Sequence, residues 1–511
     1  MKRNLIKAVG ICFVIFAILT WIIPVGTFTG GELKTSTIDP ISFFDLAAVP
    51  VSTIVTFIMF GVVFAVIGGL YGVMEETGAL AKFITKVRSW FKGKEKLFLV
   101  LTILHFVILS SLTGLLLPLF ALVPLFAAIM FEMGYKKLTA LVSTIGAILV
   151  GSIGSTYGFN ISGFTKNIFQ LEVNDQIVGK VILLAVVTIA LIIFVVKTAK
   201  REEVKAAPKA EAKKTTTKEV KTAPAKKATA TKQAVKKTTK KGTAKKTTAA
   251  LAVTEDGKKV NPGKRVSIAP LVIIFSIMLI VAMVGMYNWY YSFGATWFND
   301  IYDSIMGVEI KEFPIFKHIF SGISQMGYWG NAEFAALMIM ASGLIAWIYR
   351  LKFNQFIESF IRGVKAWLPT ALYATIASVI LCVLYQGAYS GSGTMATTVL
   401  AKIFSLSDGF NVIVTGFGSL VGSFFYNDLY YLLSEVLAFT SGWDASALQV
   451  AGVVSQAMYG LGMLLLPTSV VLIAGLSHFD VSYKQWIKYI WKFALIVLVI
   501  VLVTCCILAA L

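Results

Sequence analysis

The sequence predicts an all-α polytopic membrane protein with about 10–12 transmembrane helices and two re-entrant hairpins in an inverted repeat. Three observations carry this expectation. The 511-residue chain is 57% hydrophobic and only 14% charged, with a mean hydropathy of +0.80, whereas a soluble domain carries roughly 25% charged residues. The apolar residues form long uncharged runs: Ala8 to Gly31, Leu46 to Met74, Leu97 to Phe131, Leu138 to Thr165, Val266 to Phe298, Ala366 to Ala401, Ala445 to Phe479 and Phe493 to Leu511. Several exceed the ~20 residues that cross a bilayer and hold Gly, Pro or Ser near the middle, the pattern of broken helices or hairpins.

Each element follows from the runs and their flanks. The first helix, Ala8 to Val25, is too long for the apolar core of a signal peptide, and no small-x-small site precedes Pro24; it reads as a retained start helix. A second helix, near Thr53 to Val73, returns and ends at Glu75–Glu76–Thr77–Gly78. Leu97 to Phe131 starts and ends beside basic clusters. It therefore goes in and comes back, as two helices or as a hairpin with its tip near Ser110 to Gly114. Leu138 to Asn160 thins into polar residues and glycine, and Val178 to Val196 returns. In the second half, Pro270 to Tyr287 exits into an aromatic belt, Glu333 to Tyr349 returns, and Ala366 to Tyr385 exits again. Gln386 to Asp428 reads as a second hairpin, entered from the opposite side. Ala445 to Phe479 is interrupted at Pro467, and Phe493 to Leu511 is the last span.

Charge is local. Of the net +20, fifteen come from Lys200 to Arg265, where 21 Lys/Arg face 6 Asp/Glu. This Lys/Ala/Thr stretch has no apolar periodicity and cannot order itself. It divides the chain into an N-terminal membrane half (1–198), a basic cytoplasmic linker (199–265) and a C-terminal membrane half (266–511). By composition the linker resembles nucleic-acid-binding tails. Between two membrane halves it reads instead as a solvated tether near anionic lipid headgroups, and no nucleic-acid partner is expected. Short basic clusters at Lys2 to Lys7, Lys82 to Lys96, Lys136–Lys137, Lys352 to Lys365 and Lys484 to Lys492 place those loops and the N-terminus on the cytoplasmic side of the cell membrane.

The candidate site follows from the interruptions. Broken helices offer amides to an anion and carbonyls to a cation, and Ser and Thr hydroxyls serve either. Candidate solute-binding residues are Ser390, Gly391, Ser392, Gly393 and Thr394 at the second hairpin tip, and Pro467, Thr468 and Ser469 in the last broken helix. Ser155, Thr156 and Asn160, with Ser152 and Gly154, mark the first-half break, and Ser111 and Thr113, with Ser110, the first tip. Acidic residues near spans are candidate coupling-ion ligands: Glu333 and Asp428, with Asn427 and Asn331 beside them. Glu75 and Glu76 read as a helix end.

Covalent chemistry finds no support. Cys12, Cys382, Cys505 and Cys506 lie in apolar spans without metal-ligand or redox spacing, and the three histidines are scattered. No Walker loop, nucleophile elbow or His-Glu-x-x-His occurs. No cofactor is expected, and the energy source would be a gradient of Na⁺, H⁺ or a counter-solute.

Several stretches resemble the C4-dicarboxylate anaerobic carrier (DcuC) family, particularly its YfcC-like branch of amino-acid transporters. These are Trp21–Ile22–Ile23–Pro24–Val25–Gly26–Thr27–Phe28, Gly72 to Ala79, and Gly134–Tyr135 with Gly146 to Thr156. Ser390–Gly391–Ser392–Gly393 is similar to the family's second hairpin tip. Pro467 to Leu472 with Val481–Ser482–Tyr483 and Trp486–Ile487–Lys488 is similar to its C-terminal signature. The resemblance implies the ion-transporter superfamily fold, with hairpin tips binding a carboxylate-bearing solute in an elevator-like cycle, and dimers are common in that superfamily. Leu115 to Pro118 stands where acidic residues are expected, Gly158–Phe159–Asn160 where Asn-Pro-Phe is expected, and Gly409 to Gly442 is longer than usual.

The function expected is thus secondary transport of an amino acid or small carboxylate. The alternatives are an ion channel or exchanger without organic substrate, and a membrane anchor acting through its linker. Deleting Lys200 to Arg265 discriminates: uptake survives if the segment is a tether and is lost if the linker is the functional part, as measured by solute uptake in proteoliposomes.

Overall fold

A computed structural model describes residues 2–29, 32–35, 37–159, 163–201, 266–310, 312–320, 322–380, 394–426 and 428–511. The predicted linker from 202 onward, the tip residues Ser390, Gly391, Ser392 and Gly393, and Asn160 and Asn427 lie outside them.

The chain is all-α and polytopic. Among the described residues, seven helical stretches are long and apolar enough to cross a membrane, and shorter apolar helices lie between them. In the first half, α1 (Lys2–Thr20) leads to a hairpin of β1 (Gly26–Thr29) and β2 (Glu32–Thr35), then α2 (Asp45–Glu76) and α3 (Ala79–Trp90). Next come α4 (Glu95–Thr113), α5 (Leu116–Phe120) and α6 (Val123–Glu132). A π-turn at Val142–Gly146 joins α7 (Lys137–Leu141) to α8 (Ala147–Ile153). Then follow α9 (Phe164–Phe169) and α10 (Ile177–Thr198).

The second half opens with α11 (Ala269–Met286), α12 (Trp289–Phe293), α13 (Trp297–Met306), the short pair β3 (Glu309–Ile310) and β4 (Phe313–Pro314), and α14 (Ile315–Ile319). It continues with α15 (Asn331–Ile348), α16 (Phe353–Val379), α17 (Met395–Phe404), α18 (Val412–Phe425), α19 (Leu429–Ala438), α20 (Ala445–Leu465), α21 (Val470–His478) and α22 (Tyr483–Ala510).

Side-chain caps start most of the second-half helices. Thr394, Asn411, Asp428, Asp444, Ser469 and Ser482 each accept an amide of the first turn of α17, α18, α19, α20, α21 and α22. Such caps take up amides that the helix itself leaves unpaired.

Packing centres on α2 against α16. A lipid-embedded pair gains from close backbone approach, which small residues allow. A Cβ at Gly68 would stand 2.6 Å from the Gly363 carbonyl oxygen, one at Gly72 would collide with the Ser359 carbonyl, and one at Gly363 would collide with Gly68. The Arg362–Glu76 ion pair (2.8 Å) joins the same two helices where α2 ends.

Three features differ from the sequence expectation. First, α4 stays helical through Thr113 and stops at Gly114, whose φ of +67° reverses the chain. Ser110, Ser111 and Thr113 therefore sit in the last turn of a full helix and not on a tip loop. Second, the connection between the exiting span at Tyr287 and the returning one at Glu333, for which the sequence predicts no helix, holds α13. Its Trp297, Ile301 and Ile305 recur every four residues and are all exposed, an apolar stripe suited to a bilayer interface. Third, the start of the predicted linker is docked. Arg201 pairs with Glu95 (3.2 Å) and donates twice to the Met133 carbonyl (3.2 and 3.1 Å), while the Lys136 amide donates to the Lys200 carbonyl (3.2 Å).

The glycine seam gives a direct test. Gly363→Val is expected to destabilise the protein by about 3 kcal/mol, the upper end of overpacking costs, seen as a lowered Tm of the detergent-solubilised protein.

Candidate substrate-binding site

The start of α17 is fixed from several directions. Thr394 caps it, its hydroxyl accepting the Thr397 amide (3.1 Å) and lying 3.0 Å from the Thr397 hydroxyl and 3.3 Å from the Tyr426 hydroxyl. The Thr394 backbone exchanges two hydrogen bonds with Gly26, each 3.1 Å. The Thr398 hydroxyl donates to the Pro24 carbonyl (2.8 Å). A side chain at Gly26 would collide with the Thr398 hydroxyl, so the strand after α1 can approach only as glycine. Thr397 donates its own hydroxyl proton to the Glu435 carboxylate (3.0 Å), which also bonds the Tyr426 hydroxyl.

The first-half interruption is closed on itself. The Ser111 carbonyl accepts the amides of Thr156 (3.1 Å), Tyr157 (3.3 Å) and Gly158 (3.0 Å). The Ser111 hydroxyl donates to the Gly154 carbonyl (3.0 Å), and Ser155 donates back to the Ser111 carbonyl (3.1 Å). Gln456 on α20 donates to the Ser155 carbonyl (2.8 Å). Ser111, Ser155 and Thr156 thus hold two helix ends together and do not line the cavity described next. Thr113 is engaged locally: it donates to the Leu109 carbonyl (2.7 Å) and accepts the Leu115 amide (3.2 Å).

The second-half interruption, Leu466 to Ser469, separates α20 from α21. Pro467 lies in the turn. The Ser469 hydroxyl caps α21 by accepting the Leu472 amide (3.4 Å). The Thr468 hydroxyl is buried and has no hydrogen-bond partner among the described residues, an unused polar group of a kind that native interiors rarely tolerate.

A cavity of about 760 Å³ joins these pieces. It is lined by Thr394, Ser469 and Val470, by Gly114 and Leu115 at the end of α4, and by Ser152, Asp428, Glu435, Tyr426 and Tyr459. Ten-residue α17 and nine-residue α21 both start at its wall. Helix N-termini carry partial positive charge, so the cavity offers positive helix ends and two carboxylates.

Of the predicted residues, the cavity brings together Ser152, Thr394, Ser469 and Asp428, whereas Pro467 and Thr468 are not in its wall. Asp428 also caps α19, accepting the Tyr430 amide (2.9 Å). Glu333 is elsewhere employed: it closes the first turn of α15 by accepting the Gly330 amide (2.8 Å), while its neighbour Asn331 reaches the cavity. Glu435 and Tyr426 escaped the sequence reading. Their signal was present, because Glu435 is the lone carboxylate of an apolar helix, LYYLLSEVLA, and an intramembrane acid marks a functional site by default.

The sequence pattern of the C4-dicarboxylate anaerobic carrier family matches residues 4–510. The chain belongs to this family. It is a multi-pass membrane carrier, and its working partners are a lipid bilayer and a small-molecule solute. Among solved structures, the YdaH transporter of Alcanivorax borkumensis, described as having an unusual topology, aligns with 100% of this chain and 97% of its own. The identity is 13% and the TM-score 0.33, too low a similarity to argue from. Comparison with curated proteins found no match.

Ser111→Ala removes the donor to Gly154 and one acceptor of the Thr156 amide. It is expected to cost about 1–3 kcal/mol, the penalty of leaving buried polar groups unpaired, read as a lowered Tm in detergent with membrane insertion intact.

Proposed function

We propose that this carrier is a secondary transporter that moves a small carboxylate-bearing solute, an amino acid or a small carboxylate, across the cell membrane. The observation that carries the proposal is the single cavity reached by the start of α17, the start of α21 and the Gly114 turn. Two helix N-termini there suit a carboxylate. The Ser390–Gly393 tip immediately precedes α17 in sequence and completes the solute site in this reading. The family's name supports the same chemistry, since C4-dicarboxylates present carboxylates.

The solute gradient, or a gradient of Na⁺ or H⁺, drives the cycle, with Asp428 the coupling-ion candidate that borders the cavity and Glu333 the one that does not. In an elevator-like cycle the glycine-sutured α2–α16 pair serves as scaffold. The N-terminus and the basic linker lie on the cytoplasmic side, as the short basic clusters favour. The two membrane halves, 1–198 and 266–511, act as one transport unit.

Uptake of labelled amino acids and dicarboxylates into proteoliposomes, under imposed Na⁺ and H⁺ gradients, tests the proposal. Thr468→Ala and Ser392→Ala are each expected to lower uptake about tenfold, the equivalent of one lost hydrogen bond, without loss of membrane insertion. Unchanged uptake in both variants would count against a solute site at the Ser390–Gly393 tip and the Pro467–Ser469 break.

A further inference from the structure

The family name points to dianions, yet the cavity is built with the opposite charge. It holds two carboxylates, Asp428 and Glu435, and no Lys, Arg or His among its described lining residues. The neighbouring stretches outside the described residues, 160–162, 381–393 and 427, contain no Lys, Arg or His in sequence either. A dianion entering this space would meet two acids with only helix termini to offset them. Like charges in a poorly screened interior repel strongly.

Glu435 is the better placed of the two acids. Asp428 has its Oδ1 engaged in capping α19. Glu435 is half-buried on α19 and holds two hydroxyl donors, Thr397 and Tyr426. A carboxylate has about four acceptor sites, so capacity remains for a cationic group. The Thr397 donor belongs to the first turn of α17, whose N-terminus is one of the positive helix ends at the cavity. Negative and positive ends of the site are therefore joined through one threonine. This arrangement suits a solute with a carboxylate at one end and an ammonium at the other.

We infer that Glu435 is the residue that selects for the solute's amino group, so that this carrier takes up a zwitterionic or cationic amino acid and discriminates against a dicarboxylate. The inference rests on the carrier reading above and narrows its substrate class. A free Na⁺ ion or a proton on Glu435 would use the same carboxylate chemistry, and the test separates the sources.

The full-length protein in proteoliposomes is given a panel of labelled amino acids, their N-acetyl derivatives and succinate, each with and without Na⁺ and pH gradients. The wild-type protein is expected to take up at least one amino acid about tenfold better than succinate, and N-acetylation, which removes the ammonium charge, should abolish that uptake. Glu435→Gln should lower amino-acid uptake about tenfold or more and leave succinate uptake undiminished, while Glu435→Asp should keep the preference for the amino acid. Monodispersity on size exclusion and the Tm of both variants separate a folding failure from a lost contact. A wild-type preference for succinate overturns the inference and leaves the carrier reading standing. So does a Glu435→Gln protein that keeps its selectivity and loses only its dependence on Na⁺ or pH, because the carboxylate would then hold the coupling ion. Absence of uptake of every solute by the wild-type protein overturns both.

Discussion

A helix interrupted inside a bilayer leaves amides and carbonyls that lipid cannot hydrogen-bond, and this constraint shapes most of the molecule. In the first half the answer is Ser111, whose carbonyl and hydroxyl satisfy the strand of backbone from Gly154 to Gly158. In the second half the answer comes from the following segment. Tyr483 donates to the Leu465 carbonyl (2.7 Å) and Trp486 to the Leu464 carbonyl (2.9 Å), covering the exposed end of α20. Among the described residues, the Thr468 hydroxyl at that break is a buried side-chain group without a hydrogen-bond partner. The first interruption is thereby closed on itself, while the second borders the cavity at Ser469.

The same constraint gives physical content to the stretches that carry the family resemblance. Pro24 and Gly26 bind the start of α17, and only glycine allows that approach. Gly72 lets α16 lie against α2. Tyr483 and Trp486 finish the broken helix that begins at Ala445. Each of these is a junction between helix ends from different parts of the chain. None is a solute ligand by necessity. In these places the resemblance falls on the frame that holds the site.

Electrostatics around the cavity follow from where helices begin. The caps at Thr394 and Ser469 direct two helix N-termini to the cavity wall, and α19 brings Glu435 to the same space. In a medium poorer in screening than water, partial charges of this kind act over the few ångströms that separate them. Thr397 links the acid to the helix end, so a change at Glu435 is felt by α17 directly.

The sequence alone determined the membrane character, the helical class and the breaks near Gly154 and Pro467. Uncharged runs longer than a bilayer, interrupted by Gly, Pro and Ser, allow few other outcomes in lipid, where every backbone group must be paired. It also marked Thr394, Thr468, Ser469 and Asp428, because polar residues in such runs stand out against their surroundings. Only the tertiary structure decided which hydroxyl-bearing residues reach the cavity. Ser111, Ser155 and Thr156 look the same in sequence as Thr394, but they are consumed by one another's backbone. Glu333 looks the same as Glu435, but it caps a helix while Glu435 faces the cavity. A side chain's role here depends on what stands within hydrogen-bond reach, and for Ser111 and Glu435 those neighbours come from residues tens of positions away.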